Sequence, residues 1–217
     1  MPTQQDTTRA LLDTCGRTFA AEAGIGLRDT PQPLYRLLVL ACLLSARIRS
    51  GVAVAAARDL SESGMRDARS MRAAGWQERV DSLGRGGYRR YDERTATQLG
   101  DGAQLVLDKY GGDLRKMRGE ADGDVGKLRR LLQEVQGLGP AGANIFLREV
   151  QGVWTEAAPL LDAKALQGAA AVGLPEDARK LARLVDTDVL PAFAAALVRV
   201  ALDKKAAARV QEAAEHR

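Results

Sequence analysis

Wherever apolar positions recur along this chain, they recur at the spacing of a helix. Leu11, Leu12, Cys15 and Phe19 fall on one helical face, as do Val125, Leu128, Leu132 and Val135, and likewise Leu181, Leu184 and Val185. No segment alternates as a half-buried strand would. The run PLYRLLVLACLLSAR, residues 33–47, is apolar nearly all round, which predicts a central helix buried on most sides. Helix starts are marked by Thr30-Pro31 before that run, by Asp124 before KLRRLLQEV, and by Asp188 with Pro191 in the first turn of the last long helix. Gly111-Gly112 closes a segment that opens near Asp92. The glycine-containing stretches SLGRGGYRRY (82–91) and RGEADGDVG (118–126) read as connections between helices. The pattern predicts an all-α fold of about ten short helices joined by tight turns.

Composition narrows the class further. A chain of 217 residues can bury a core without a metal or a disulfide. Its 2 cysteines, Cys15 and Cys42, sit in apolar helical patterns and cannot supply the ligands of a zinc ribbon or an iron–sulfur cluster. They read as core residues of a protein in a reducing compartment. The N-terminus lacks a basic stretch followed by an apolar one, and no apolar run is long enough to span a bilayer, so the expectation is a cytoplasmic protein, nucleoid-associated if bacterial. Net charge is only +4, but its distribution is uneven. Arg66, Arg69, Arg72, Arg79, Arg85, Arg89, Arg90 and Arg94 crowd one stretch, a density suited to phosphate contact or to a solvated face.

The most informative segment is EVQGLGPAGANIF, residues 134–146. Gly137 and Gly139 can take backbone angles closed to other residues, Leu138 can plug the gap between two helices, and Pro140 suits a first helical position. A helix start with no side chains in the way presents bare N–H groups, a site for one phosphate. An ordinary helix–helix turn would use glycine similarly.

The segment LLQEVQGLGPAGANIFLREV resembles the helix-hairpin-helix of the endonuclease III-like (HhH-GPD) DNA glycosylases. Three further stretches resemble that family in the same order: LYRLLVLACLLSARIRSGVAVAAARDL, like its buried helix and wedge loop; SLGRGGYRRYDERTATQLGDGAQLVLDKYGGDL, like its Gly-aromatic turn, long helix and Gly-Gly stop; and PLLDAK (159–164), like its Pro-x-Val-Asp-x-His. The resemblance spans roughly residues 33–164 and implies a two-lobed helical fold with a DNA groove between the lobes. One lobe, residues 28–156, would hold the hairpin at about 124–151, and residues 1–27 with 157–217 would form the other. The latter is expected to hold together through Leu174, Leu181, Leu184, Val185, Leu190, Phe193, Leu197 and Val200.

Under this resemblance the hairpin residues Gly137, Gly139, Ala141 and Gly142 meet a DNA phosphate, and Asp162 is the catalytic carboxylate at a helix start. Breaking the bond between base and sugar develops positive charge on the sugar, which an ionised carboxylate stabilises. Asp162 also reads as an N-cap, and the two roles are compatible. Lyase members of the family carry a lysine where this chain has Ala141, so strand cleavage by Schiff base is not expected. Lys164 stands where the family often has histidine, a position that suits contact with a phosphate, approach to the sugar, or a solvated helix lysine. Ser45 and Arg47 lie in the wedge loop, Arg47 replacing the glutamine that fills the gap left by the flipped base, although an arginine there equally suits a surface position after a helix end. Ala41 occupies the position of the glutamate of adenine-excising relatives, which argues against that subclass. Trp76 and Trp154 suit a core and a groove equally.

The implied activity is a monofunctional glycosylase that flips and excises a damaged or mismatched base from double-stranded DNA. No cofactor, no iron–sulfur cluster and no metal are expected, apart from a monovalent cation at the hairpin backbone. Neither a membrane nor an obligate protein partner is implied. The alternatives are a non-catalytic duplex-binding protein on the same scaffold and a helical bundle for protein partners.

Overall fold

The computed structural model describes residues 2–217, which form fourteen α-helices and one 3-10 turn and contain no strand. The helices exceed the expected ten because several, such as Phe19–Glu22 (α2) and Ala178–Ala182 (α12), are too short for a period to show. The chain divides into two compact units, residues 20–146 and residues 2–19 with 147–217. Both divisions fall inside helices, α2 and Pro140–Val150 (α10), where no loop or shift in composition marks them.

In the unit of residues 20–146, Pro31–Leu44 (α3) is the buried helix that the apolar run predicts, with Leu34, Leu37, Leu40, Ala41 and Leu43 fully enclosed. It stops at Leu44, earlier than the run suggests, so Arg47 lies in a loop. Ser50–Glu62 (α4) packs against it, Trp76–Arg85 (α6) packs on α4, and both Ala68–Ala73 (α5) and α6 pack on Asp92–Tyr110 (α7). Gly111, at φ 61°, ends α7 as expected. Leu114–Ala121 (α8) absorbs the start of the supposed connection at 118–126, as far as Ala121, and ends at Asp122 in the left-handed region, φ 51°. Similarly, residues 82–85 of the other glycine-containing stretch are the last turn of α6. Val125–Gln133 (α9) starts at Asp124, whose carboxylate accepts from the Lys127 amide at 2.9 Å, a bond that holds its pKa below the usual range.

One arginine of the dense stretch is not a surface residue. Arg79 is 5% exposed and donates to the carbonyls of Ala96 (2.8 Å), Met71 (3.1 Å) and Ala74 (2.6 Å), tying α5, α6 and α7 together. A side chain at Gly100 would stand 2.7 Å from its guanidinium, which explains the glycine inside α7. Burial lowers the Arg79 pKa.

In the other unit, Leu190–Leu202 (α13) is apolar nearly all round and is flanked by Gln4–Cys15 (α1), Ala163–Ala171 (α11) and Lys204–Glu215 (α14). Val189, without a side-chain cap, precedes α13, so Asp188 is not its cap. Pro191 supplies the start signal there, because its missing N–H costs nothing in a first turn. Leu174, Leu181, Leu190, Phe193, Leu197 and Val200 are buried as expected, whereas Leu184 and Val185 fall in a half-exposed turn after α12. Trp154 is fully buried and Trp76 is 42% exposed. The Arg199 guanidinium lies 4.2 Å from the centroid of the Phe19 ring and donates to the Arg17 carbonyl at 2.9 Å.

Helices α11 and α13 meet backbone to backbone at Gly168, where an added Cβ would stand 1.8 Å from the Leu197 carbonyl oxygen. Alanine improves helix propensity by about 1 kcal/mol, but forcing two buried helices apart costs about 3 kcal/mol, so the clash wins. Gly168→Ala is therefore expected to lower unfolding free energy by about 2 kcal/mol in urea titration. An unchanged midpoint would mean that α11 is not seated on α13 as described.

Candidate nucleic-acid interface

The hairpin consists of α9, a turn over residues 134–139, and α10, with Pro140 at its first position. Arg129 on α9 donates to Asn144 Oδ1 on α10 at 2.9 Å, linking the two helices across the turn. Leu138 is 1% exposed and plugs the space beneath the turn. The glycines have different tasks. Gly137 has φ 84°, and a Cβ there would stand 2.8 Å from Cys42 Sγ and 3.2 Å from Gln98, so both backbone angle and packing require glycine. Gly142 is buried, and its Cβ would meet Leu138 at 2.8 Å. Gly139 alone faces open space, with nothing within 4 Å of an added Cβ.

At the start of α10 the amides of Ala141 and Gly142 have no earlier carbonyl of their own helix to meet, and Pro140 has no N–H. The Gly139 carbonyl already accepts from Ala143 at 3.0 Å. Exposed Gly139 and Ala141 thus leave a helix N-terminus accessible to an anion, and the buried Gly142 backs it.

Cys42 plays a part that no motif announces. Its thiol donates to the Gly137 carbonyl at 3.4 Å, holding the turn on α3, and burial pushes its pKa up to about 12. Gly102 on α7 admits the turn from the other side: a Cβ there would stand 3.0 Å from Val135 and 3.3 Å from the Gln136 carbonyl. The hairpin turn is seated on α3 and α7 by close backbone approach.

Asp162 lies in the other unit. As expected, it is the N-cap of α11, with Oδ1 accepting from the Ala165 amide at 3.0 Å. Its second oxygen meets Arg148, Nη1 to Oδ2 2.5 Å, an ion pair in which the side chains are 4% and 17% exposed. Gln151, fully buried, fixes the approach to this cap: it donates to the carbonyls of Arg148 (2.9 Å) and Leu160 (3.1 Å) and accepts from the Leu160 amide at 2.8 Å. Neither Arg148 nor Gln151 is legible from a motif. Arg148 stands in the last turn of α10 and Gln151 directly after that helix, where a surface residue is the ordinary reading.

Lys164 is exposed on α11 and donates to Gln167 at 2.7 Å. Ser45 turns its hydroxyl back to the Cys42 carbonyl at 2.7 Å, closing the end of α3. Arg47 is exposed in the loop that follows, and Ala41 is fully buried.

The arrangement of helices is an all-α, endonuclease III-like fold. The chain is similar to endonuclease III trapped with DNA as a covalent intermediate, in an estranged-adenine complex, with TM-score 0.50 and 17% identity over 91% of this chain and 86% of that one. No family model matches the sequence, and no curated protein matches it. Among the described residues, no helix is long and apolar enough to cross a membrane.

Proposed function

We propose that this protein binds double-stranded DNA through the start of α10 and removes a damaged or mismatched base as a monofunctional glycosylase. The observation that carries the binding reading is the open helix start at Gly139 and Ala141, backed by the buried Leu138 and Gly142. One phosphate there would be held by backbone amides and a helix dipole, a contact that positions a duplex without reading its sequence. The endonuclease III-like fold supports the extension to base excision.

In that reaction the bond between the base and the sugar C1′ breaks, its electron pair leaves with the base, and water supplies oxygen to C1′. The Asp162 carboxylate would stabilise the positive charge that develops on the sugar. Ala141 offers no amine, so the product is an intact strand with an abasic site. This also leaves no chemical step that needs a cofactor. A non-catalytic binder is favoured by one specific feature: Arg148 neutralises Asp162, and a neutral pair exerts a weaker field on a developing cation than a free carboxylate does.

The test is incubation with end-labelled duplexes carrying single oxidised, alkylated, deaminated or mismatched bases, resolved with and without hot alkali. Bands that need alkali are expected; bands without it would mean a lyase, and none from any duplex would leave the binding reading alone. Gly139→Val, with its open surroundings, should weaken duplex affinity about tenfold or more by blocking the helix start, with the fold intact by circular dichroism. Unchanged affinity in that variant would remove the hairpin from the interface.

A further inference from the structure

Arg148, Glu149 and Gln151 place three polar side chains in and just after the last turn of α10, and all three are buried, at 4%, 2% and 0% exposed. A polar group is kept out of water only where its donors and acceptors are met. Gln151 meets this condition in full. Its Nε2 donates to the Arg148 carbonyl at 2.9 Å and to the Leu160 carbonyl at 3.1 Å, which spends both hydrogens, and its Oε1 accepts from the Leu160 amide at 2.8 Å. The reverse orientation of the amide would set its NH2 group against the Leu160 N–H, so the bonds themselves fix which end is the oxygen.

Leu160 stands two positions before Asp162. Residues 158–162 belong to no helix, so no ladder of backbone bonds fixes their course. The Gln151 side chain does what a facing residue does in an antiparallel pair: it engages the N–H and the C=O of one residue together, which fixes that residue's orientation as well as its place. The chain then runs through the buried Leu161 to Asp162, whose Oδ1 accepts from the Ala165 amide and whose Oδ2 meets the Arg148 guanidinium. Arg148 serves at both ends, its carbonyl holding Gln151 and its guanidinium holding Asp162. A helix cap does not require such enclosure. Asp124 and Asp177 cap α9 and α12 by the same kind of amide bond while standing exposed.

We infer that Gln151 is a positioning residue for base excision: by pinning both backbone polar groups of Leu160 to the end of α10, it sets where the Asp162 carboxylate stands relative to a bound sugar. The inference rests on the reading of Asp162 given above and adds the residue that fixes its approach. Gln151 touches no substrate and acts through the backbone of residues 160–162. An electrostatic stabiliser works at a defined distance from the developing charge, and a displacement of about 1 Å can cost about a hundredfold in rate.

The experiment measures single-turnover excision and affinity for an abasic-site duplex in the full chain, in Gln151→Met, in Gln151→Asn, in Asp162→Asn and in the double variant Gln151→Met/Asp162→Asn, below the thermal midpoint of each. Methionine fills the same space without a donor, and asparagine keeps an amide that is one methylene too short to reach Leu160. Each Gln151 variant should lower the excision rate about thirtyfold and leave abasic-site affinity within about twofold of the parent. The double variant should be no slower than Asp162→Asn, because Gln151 acts only through that carboxylate. Parent-like rates in folded Gln151 variants would overturn the inference, as would a further loss of rate in the double variant or a fall in affinity that matches the fall in rate. Failure of both single Gln151 variants to fold, by circular dichroism, would make Gln151 a residue of the fold and overturn its assignment to the reaction. If the parent excises no base, or Asp162→Asn excises at the parent rate, it is the reading of Asp162 that fails, and the inference falls with it.

Discussion

Arg148→Met should destabilise the protein by about 3 kcal/mol, because it strands the partly buried Asp162 carboxylate after removing the cation bonded to it. The stem of the arginine is replaced by a methionine of similar length, so packing around α10 is largely kept and the loss reports the charge. The converse change, Asp162→Asn, keeps an oxygen for the Ala165 amide but leaves a 4% exposed cation without its counter-charge. The double variant removes both charges and should recover much of the loss, giving a coupling of about 2 kcal/mol in a double-mutant cycle followed by urea unfolding. Additive losses would mean that the two side chains do not form the pair, and the account of the α11 cap would have to change.

The second large effect is catalytic. If Asp162 supplies the electrostatic stabilisation, Asp162→Asn should lower the single-turnover excision rate at least about a hundredfold, while affinity for a duplex containing an abasic site stays near that of the parent. Asparagine is the informative replacement because the N-cap bond survives and only the charge is lost. Excision at the parent rate would take Asp162 out of the chemistry and leave it as a cap and ion-pair partner. Arg148→Met separates the same alternatives from the other side. A faster excision rate per folded molecule would show that the arginine damps the carboxylate, whereas a slower one would show that it holds the carboxylate in position.

Much of the helical architecture is readable locally. Asp124 before α9, Gly111 after α7 and Asp162 before α11 each act within one turn of their own position, where backbone geometry and a single side-chain bond decide the outcome. The apolar run of α3 announces its own burial for the same reason, since a helix without a polar face has no side to show to water. Short helices such as α5 and α12 are not readable, because one or two turns leave no period. The tail of α8 reads as a connection on the strength of its glycines, although Gly119 lies inside the helix.

The site divides along the same line. Gly137, Gly139 and Asp162 stand out in the sequence because turn and cap chemistry select residue types at fixed spacing. What holds them does not stand out: Cys42 lies far along the chain from the Gly137 carbonyl it supports, and Arg148 is an ordinary helix arginine until α11 brings a carboxylate to it. The eight arginines of the dense stretch are equivalent by composition, yet packing buries Arg79 against three carbonyls, pairs Arg85 with Asp59, and leaves Arg89 and Arg90 exposed in the loop before α7.

The amino-acid sequence by itself therefore determined the helical class, the helix starts and stops and the hairpin, because these rest on interactions within a few residues. Only the tertiary structure decided which charges are buried, which are paired and which face water, because a charge's environment is set by the neighbours that folding brings from elsewhere in the chain.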